Sequence, residues 1–233
     1  MIHTPRLAWL FDVDGTLLTT EGAAREAIAV AVRETLGVAD PLGDIPFAGR
    51  TEPLILKDIL DKHGAEFRDG DEARFWNRVF DSMRAAFRPP RGRLLPGVEP
   101  LLDRIGEERD WVAGLLTGNM TEMARIKLER FGIRGRFAFG AFGEEADDRN
   151  ALARVAVERV GRRYGVPPAR CVVVGDTEHD VACARAAGAL AVAVATGERS
   201  RAVLEENAPD LLLDDLADPA PLIEWARRIA SAA

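Results

Sequence analysis

The chain has 233 residues, of which 47% are hydrophobic and 30% charged, a balance that excludes a disordered or fibrous chain and suits one large domain or a domain with an insert. A net charge of −7 argues against nucleic-acid binding by bulk electrostatics. No apolar run reaches a membrane span, the N-terminus lacks a signal-peptide pattern, and the two cysteines, Cys171 and Cys183, lie in apolar flanks that argue against a disulfide framework, so a reducing cytoplasm is expected.

The first predicted strand, Leu7 to Phe11, ends in Asp12, Asp14, Gly15 and Thr16. Two like charges at the mouth of an apolar strand read either as a polar Asp-Gly turn or as the anchor of a cation. Divalent Mg²⁺ prefers hard oxygen ligands of this kind. After it comes a stretch without strand pattern. Thr20 is placed to cap a helix closed by Gly37, and Thr51 a second helix with Pro53 in its first turn. A third helix carries Phe75, Val79, Met83 and Phe87 at helical spacing, which reads as core packing, and Pro89-Pro90 stops it. The segment reads as an all-helical insert, with PPRGRLLPG as its hinge.

After residue 95 strands and helices alternate. WVAGLLTGN reads as strand then loop, with Thr121 as N-cap of the helix TEMARIKLERFG, which Gly132 ends. RFAFGAFGE reads as a strand, NALARVAVERVGRRYG as an amphipathic helix, and RCVVVGDTEHD as a buried strand ending in acids. A further helix, the strand ALAVAVATG, an edge strand in PDLLLDD and a last helix from PAPLIEWARRIASAA follow. This alternation implies an α/β fold, a Rossmann-like parallel sheet core with helices on both faces. Ligands bind such sheets beyond the carboxyl ends of the strands, where Asp12, Thr117 and Asp176 fall.

DVDGTL, then LLTGN, then VVGDTEHD, in that order, resemble the haloacid dehalogenase (HAD) superfamily, and the helical insert resembles the alpha-helical cap of its phosphoglycolate-phosphatase-like members. The resemblance implies a core of residues 1–18 and 91–233 and a cap of residues 19–90. It implies Asp12 as nucleophile, Asp14 as general acid and base, and Thr117, Gly118 and Asn119 as phosphate binders. The implied Mg²⁺ ligands are Asp12, Asp14 (through its carbonyl), Asp176 and Asp180, the last through water or by orienting its neighbours. The family's usual third-motif lysine is missing: only Lys57, Lys62 and Lys127 occur, and none follows Lys127. Arg149 is the expected stand-in, against the alternative of a surface arginine beside Asp147 and Asp148.

In FAGRTEP, Arg50 resembles cap residues that reach the substrate. Glu178 and His179 are expected to be exposed, and His179 a bystander. The function so implied is a Mg²⁺-dependent phosphatase acting through an aspartyl-phosphate on a phosphorylated small molecule. It would act without nucleic acid or membrane, as a monomer or homodimer. A phosphosugar mutase, a 2-haloacid dehalogenase and a phospho-receiver are the rivals; Asp14 counts against the last two.

Overall fold

Five consecutive apolar residues leave a strand no face for water, and the computed structural model, which describes residues 5–87 and 91–231, buries all five of LAWLF. That strand is β1 (Leu7–Phe11). It is followed by β2 (Leu18–Thr19), α1 (Ala23–Leu36), α2 (Glu52–His63), α3 (Asp71–Ala86), β3 (Arg93–Leu94), α4 (Val98–Glu107) and β4 (Trp111–Leu116). Then come α5 (Thr121–Arg130), β5 (Gly140–Ala141), α6 (Arg149–Tyr164), β6 (Cys171–Gly175), α7 (Glu178–Ala186) and β7 (Leu190–Val194). The chain closes with α8 (Arg201–Glu206), β8 (Leu211–Leu213) and α9 (Ala220–Ser231).

The main sheet has the order β5-β4-β1-β6-β7-β8, all neighbours parallel, so β1 lies inside it between β4 and β6. Alternate residues of β1 serve the two faces. Leu7, Trp9 and Phe11 pack with Val98, Leu101, Leu102 and Ile105 of α4 and with Leu222 and Ile223 of α9. Ala8 and Leu10 pack with Leu152 and Ala156 of α6 and Val181 of α7. Trp9 stacks on Phe11 and meets Trp111 edge-on, which fixes the strand's register laterally.

β2 and β3 form a separate antiparallel pair, Leu18 opposite Leu94 and Thr19 opposite Arg93, so the chain leaves the core and returns to it side by side. Between them α1, α2 and α3 build their own apolar cluster, to which α5 adds Met123 and Ile126. Phe75, Val79, Met83 and Phe87 are buried in that cluster. Pro89 and Pro90, expected to stop the third helix and to open the hinge, lie outside the described residues.

Several local expectations are corrected. The N-cap of α1 is Gly22, in left-handed backbone, and Thr20 supports it through its hydroxyl, which accepts the Ala24 N–H. Thr51 is the N-cap of α2, but its buried hydroxyl has no hydrogen-bond partner. The N-cap of α5 is Met120, and Thr121 instead donates its N–H to the Glu144 carboxylate. RFAFGAFGE contributes only Gly140 and Ala141 to the sheet. The Phe139 ring lies where Gly114 has no side chain and the Phe142 ring where Gly140 has none, so these aromatics fill space beside the edge.

Candidate active site

The first acidic loop is held in a tight turn. Leu17 and Leu18 donate their N–H groups to the Val13 carbonyl, Gly15 donates to the Leu18 carbonyl, and Gly15 takes φ +78°. The Thr196 hydroxyl, from the loop after β7, donates to the Gly15 carbonyl at 2.6 Å. Asp12 continues β1 by one more bond, its N–H donating to the Val174 carbonyl. The loop thus points two acids past the sheet edge: Asp12, 6% exposed, and Asp14, whose side chain is 42% exposed.

Carboxylate oxygens of Asp12, Asp176 and Asp180 lie within 4.8 Å of one another, all three buried. Burial pushes Asp12 up to about 6, with Arg149 opposing and Asp180 and Asp14 adding to the rise. Burial also holds Asp176 well above the carboxylate range, with Asp180 and Asp12 pushing the same way. Asp176 Oδ1 accepts the Thr16 hydroxyl at 3.1 Å. A Cβ at Gly15 or at Gly197 would overlap the Asp176 carboxylate, so two glycines keep a cradle open around it. All-oxygen donors, crowded negative charge and that cradle fit a hard divalent cation such as Mg²⁺.

Asp180 offers one oxygen to that cluster and is also tied to its neighbours. Its Oδ2 accepts the Thr177 N–H at 3.0 Å and the Thr177 hydroxyl at 2.7 Å, and its Oδ1 accepts Arg149 Nη2. It caps α7 and orients Arg149, the second of the roles anticipated for it. Arg149 is not the surface arginine of the alternative reading: 8% exposed at the start of α6, it lines the same cavity as Asp12, ion-pairs with Asp180 and lies 3.3 Å from Asp12 Oδ1. Its head is engaged by the acids themselves.

The cation that stands beside Asp14 is Lys127, from α5, 1% exposed. Its Nζ donates to Asp14 Oδ2 at 2.6 Å and to Asn119 Oδ1 at 2.5 Å. Asn119 Nδ2 donates to the same Asp14 oxygen at 2.8 Å and to Thr117 Oγ1 at 2.7 Å. Thr117 and Gly118 follow β4 as expected, and Thr117 is fully buried. Sequence reasoning passed over Lys127 although a signal existed. Met123, Lys127 and Ala124, Lys127 are at helical spacing, so the lysine lies on the helix's apolar face, and its side chain leans back towards the N-terminal end where the loop is.

These groups open onto a cavity of about 570 Å³. One wall is the sheet edge with Asp12, Asp14, Lys127 and Asp176; the opposite wall carries Arg25, Phe47, Arg50 and Ile55. Arg50 lines the cavity and ion-pairs with Asp58. Arg25 lies over the Phe47 ring at 4.5 Å and donates to the Gly43 and Ile45 carbonyls. His179 is exposed, against Gly49. Glu178 is only partly exposed, because it ion-pairs with Arg199 at 2.7 Å. Cys171 and Cys183 are free and buried, and burial pushes both thiols up to about 12.

Among known proteins, a HAD-hydrolase-like family model matches residues 150–219. The chain is 31% identical over 212 residues to a phosphoglycolate phosphatase of Synechococcus elongatus, covering 91% of this chain and 94% of that protein. It is 29% identical over 196 residues to a phosphoglycolate phosphatase of Xanthomonas campestris, covering 82% of this chain and 84% of that protein. A solved structure of a predicted phosphoglycolate phosphatase from Haemophilus somnus superposes with a TM-score of 0.72 at 19% identity, over 96% of this chain and 100% of that one. Among the described residues no helix is long and apolar enough to cross a membrane.

Proposed function

The chain belongs to the haloacid dehalogenase-like hydrolases and is a phosphatase of that family, and on that premise we propose that it hydrolyses a small phosphomonoester, with Mg²⁺, through an aspartyl-phosphate on Asp12. The observation that carries this reading is the place of Asp12. It is a buried carboxylate at the end of an interior strand, facing a cavity between the Lys127–Asp14 pair and Asp176.

In the first step an Asp12 oxygen attacks phosphorus, and the P–O bond to the alcohol breaks. Asp14 gives its proton to the departing oxygen. In the second step Asp14 takes a proton from water, the water oxygen attacks phosphorus, and the Asp12–phosphorus bond breaks to release inorganic phosphate. Asn119 and Lys127 hold Asp14 in one orientation for both transfers, which supports its double role. In this reading Thr117, Gly118 and the Lys127 ammonium would receive the phosphoryl oxygens. Asp12 and Asp176, with the Asp14 carbonyl, would hold Mg²⁺, which when bound offsets the negative charge of the acids and of the phosphate.

The helical segment, residues 19–90, serves in this reading as a cap over a core of residues 1–18 and 91–233, excluding water and selecting the leaving group. Arg50 is its foremost substrate contact. The names of the two bacterial relatives make phosphoglycolate the first compound to assay. Action in the cytoplasm, as a monomer or homodimer, fits a small soluble substrate.

The test is turnover of p-nitrophenyl phosphate and of an alkyl phosphate with Mg²⁺ and with excess chelator. Turnover is expected only with Mg²⁺, and Asp14→Asn should slow the alkyl ester about tenfold more than the aryl ester, because the alkoxide needs a proton most. Full activity in chelator would overturn the metal requirement. An Asp14→Asn variant that slows neither ester would overturn the acid–base role.

A further inference from the structure

The helical segment and the core meet along a seam, closely at two glycines. A Cβ on Gly118 would overlap the Arg50 carbonyl, and one on Gly49 would overlap the His179 ring. Glu52, the first residue of α2, crosses this seam. Its own N–H donates to the Gly118 carbonyl at 2.8 Å, and its Oε2 accepts the Met120 N–H at 2.8 Å.

An acid in the first turn of a helix is ordinarily explained by the helix dipole, and such an acid works from the surface. Glu26 of α1 does so, with its side chain 58% exposed. Glu52 is 6% exposed, and burying a carboxylate costs stability unless the bonds it makes require it there. The requirement lies across the seam, since Met120 is in the core and caps α5, the helix that carries Lys127. The groups facing Glu52 are Lys127 from α5, which attracts it, and Asp14 and Glu144, which repel it.

We propose that Glu52 is a positioning residue: it fastens the α2 wall of the cavity to the Gly118–Met120 loop, and so sets how firmly the substrate is held. Thr117, Gly118 and Asn119 are on one side of the cavity and Arg50 and Ile55 on the other. Glu52 ties these two sides directly. Without the side-chain tie only the backbone bond from Glu52 to Gly118 remains, the wall is held less firmly to the phosphate loop, and affinity falls while the reacting acids stay in place. The kinetic part of this inference rests on the phosphatase reading; the fastening itself does not.

The experiment therefore has two arms, using the full chain. The first follows hydrogen exchange of the Met120 amide without substrate. Glu52→Ala should speed exchange about tenfold, the scale of one lost hydrogen bond, and Glu52→Gln should leave it near the native rate, because the amide oxygen accepts the same N–H. The second arm measures KM and kcat on p-nitrophenyl phosphate with Mg²⁺. Glu52→Ala should raise KM about tenfold with kcat changed less than about threefold, and Glu52→Gln should restore KM to within about twofold. If Glu52→Ala does not fold, Glu52→Asp, which keeps the charge but falls short of Met120, replaces it with the same expectations. Unchanged exchange in the shortened variant overturns the fastening. Unchanged KM overturns the link to affinity. A Glu52→Gln variant as impaired as Glu52→Ala also overturns the proposal, since the effect would then belong to charge. If the native enzyme does not turn over the aryl phosphate, the phosphatase reading fails and the exchange arm still decides the fastening.

Discussion

The two walls of the cavity are built on opposite plans. On the sheet side Asp12, Thr117, Lys127, Arg149 and Asp176 are all less than a tenth exposed, and each is held by named partners. On the helical side Arg25 is exposed, the Arg50 head is 24% exposed and paired with Asp58, and Phe47 is partly buried. Buried, multiply bonded groups cannot reorganise without leaving a partner unsatisfied, so that wall is fixed for one chemistry. Long side chains at a wet rim can adjust, so the other wall suits the recognition of a leaving group.

That contrast can be broken by mutation. Asp12→Asn should lower turnover at least about 10³-fold on any phosphomonoester, because an amide is a poor nucleophile; near-native turnover would take the chemistry off the sheet wall altogether. Lys127→Met should cost roughly 10²-fold in kcat with the fold intact, the usual scale for removing one charge-stabilising donor. Arg149→Met should instead show first as lost stability, about 3–5 kcal/mol in urea unfolding, because Asp12 and Asp180 are left buried without their cation. If both cation variants lost activity equally and stability not at all, the division between them would be wrong.

A milder test uses pH. Burial, against the pull of Lys127, raises the Glu52 carboxyl from 4.5 to about 7. Between those values the folded chain holds a proton that the unfolded chain releases. Stability is therefore highest on the acid side and is lost as pH rises through about 7. Relative to Glu52→Gln, the native protein should lose on the order of 2 kcal/mol between pH 5 and pH 8, measured by parallel urea titrations. A constant difference would deny the shift. The smallest effect belongs to the rim: Arg50→Ala should change KM only about threefold, and by different factors for different leaving groups, since its half-buried head is already engaged by Asp58. A uniform loss of kcat there would move Arg50 from the adaptable wall to the fixed one.

Much of the fixed wall was legible because apolar runs ended in chemistry: β1 in Asp12, β4 in Thr117, β6 in Asp176. Strand ends are local events, and a parallel sheet carries them all to one edge. Lys127 was not legible in the same way. It lies in the middle of a helix with charged residues on both sides, and only its place on the Met123–Ala124 face marks it as buried. Arg149 was found at the right helix start, but its bond to Asp180 was not legible, because that is a contact across 31 residues. Glu52 looks like any first-turn acid until its partner, 68 residues away, is known. The Phe137–Phe142 stretch alternates like a strand, and Ala138 and Phe139 do bond to Ala113 and Leu115 of β4. Only Gly140 and Ala141 form the regular ladder, with Phe139 and Phe142 packed around Gly114 and Gly140.

The two deeply buried thiols have a practical consequence. Thiol reagents and peroxides act on the thiolate, and a group pushed up to about 12 presents almost none at neutral pH. Cys171 and Cys183 are thus chemically silent in the folded chain, sealed in β6 and α7. A single cysteine engineered at the rim would be the one site open to a fluorophore or spin label, with no native residue to remove first. The same silence reports on folding: thiol modification without any engineered site would register opening of the chain around β6 or α7.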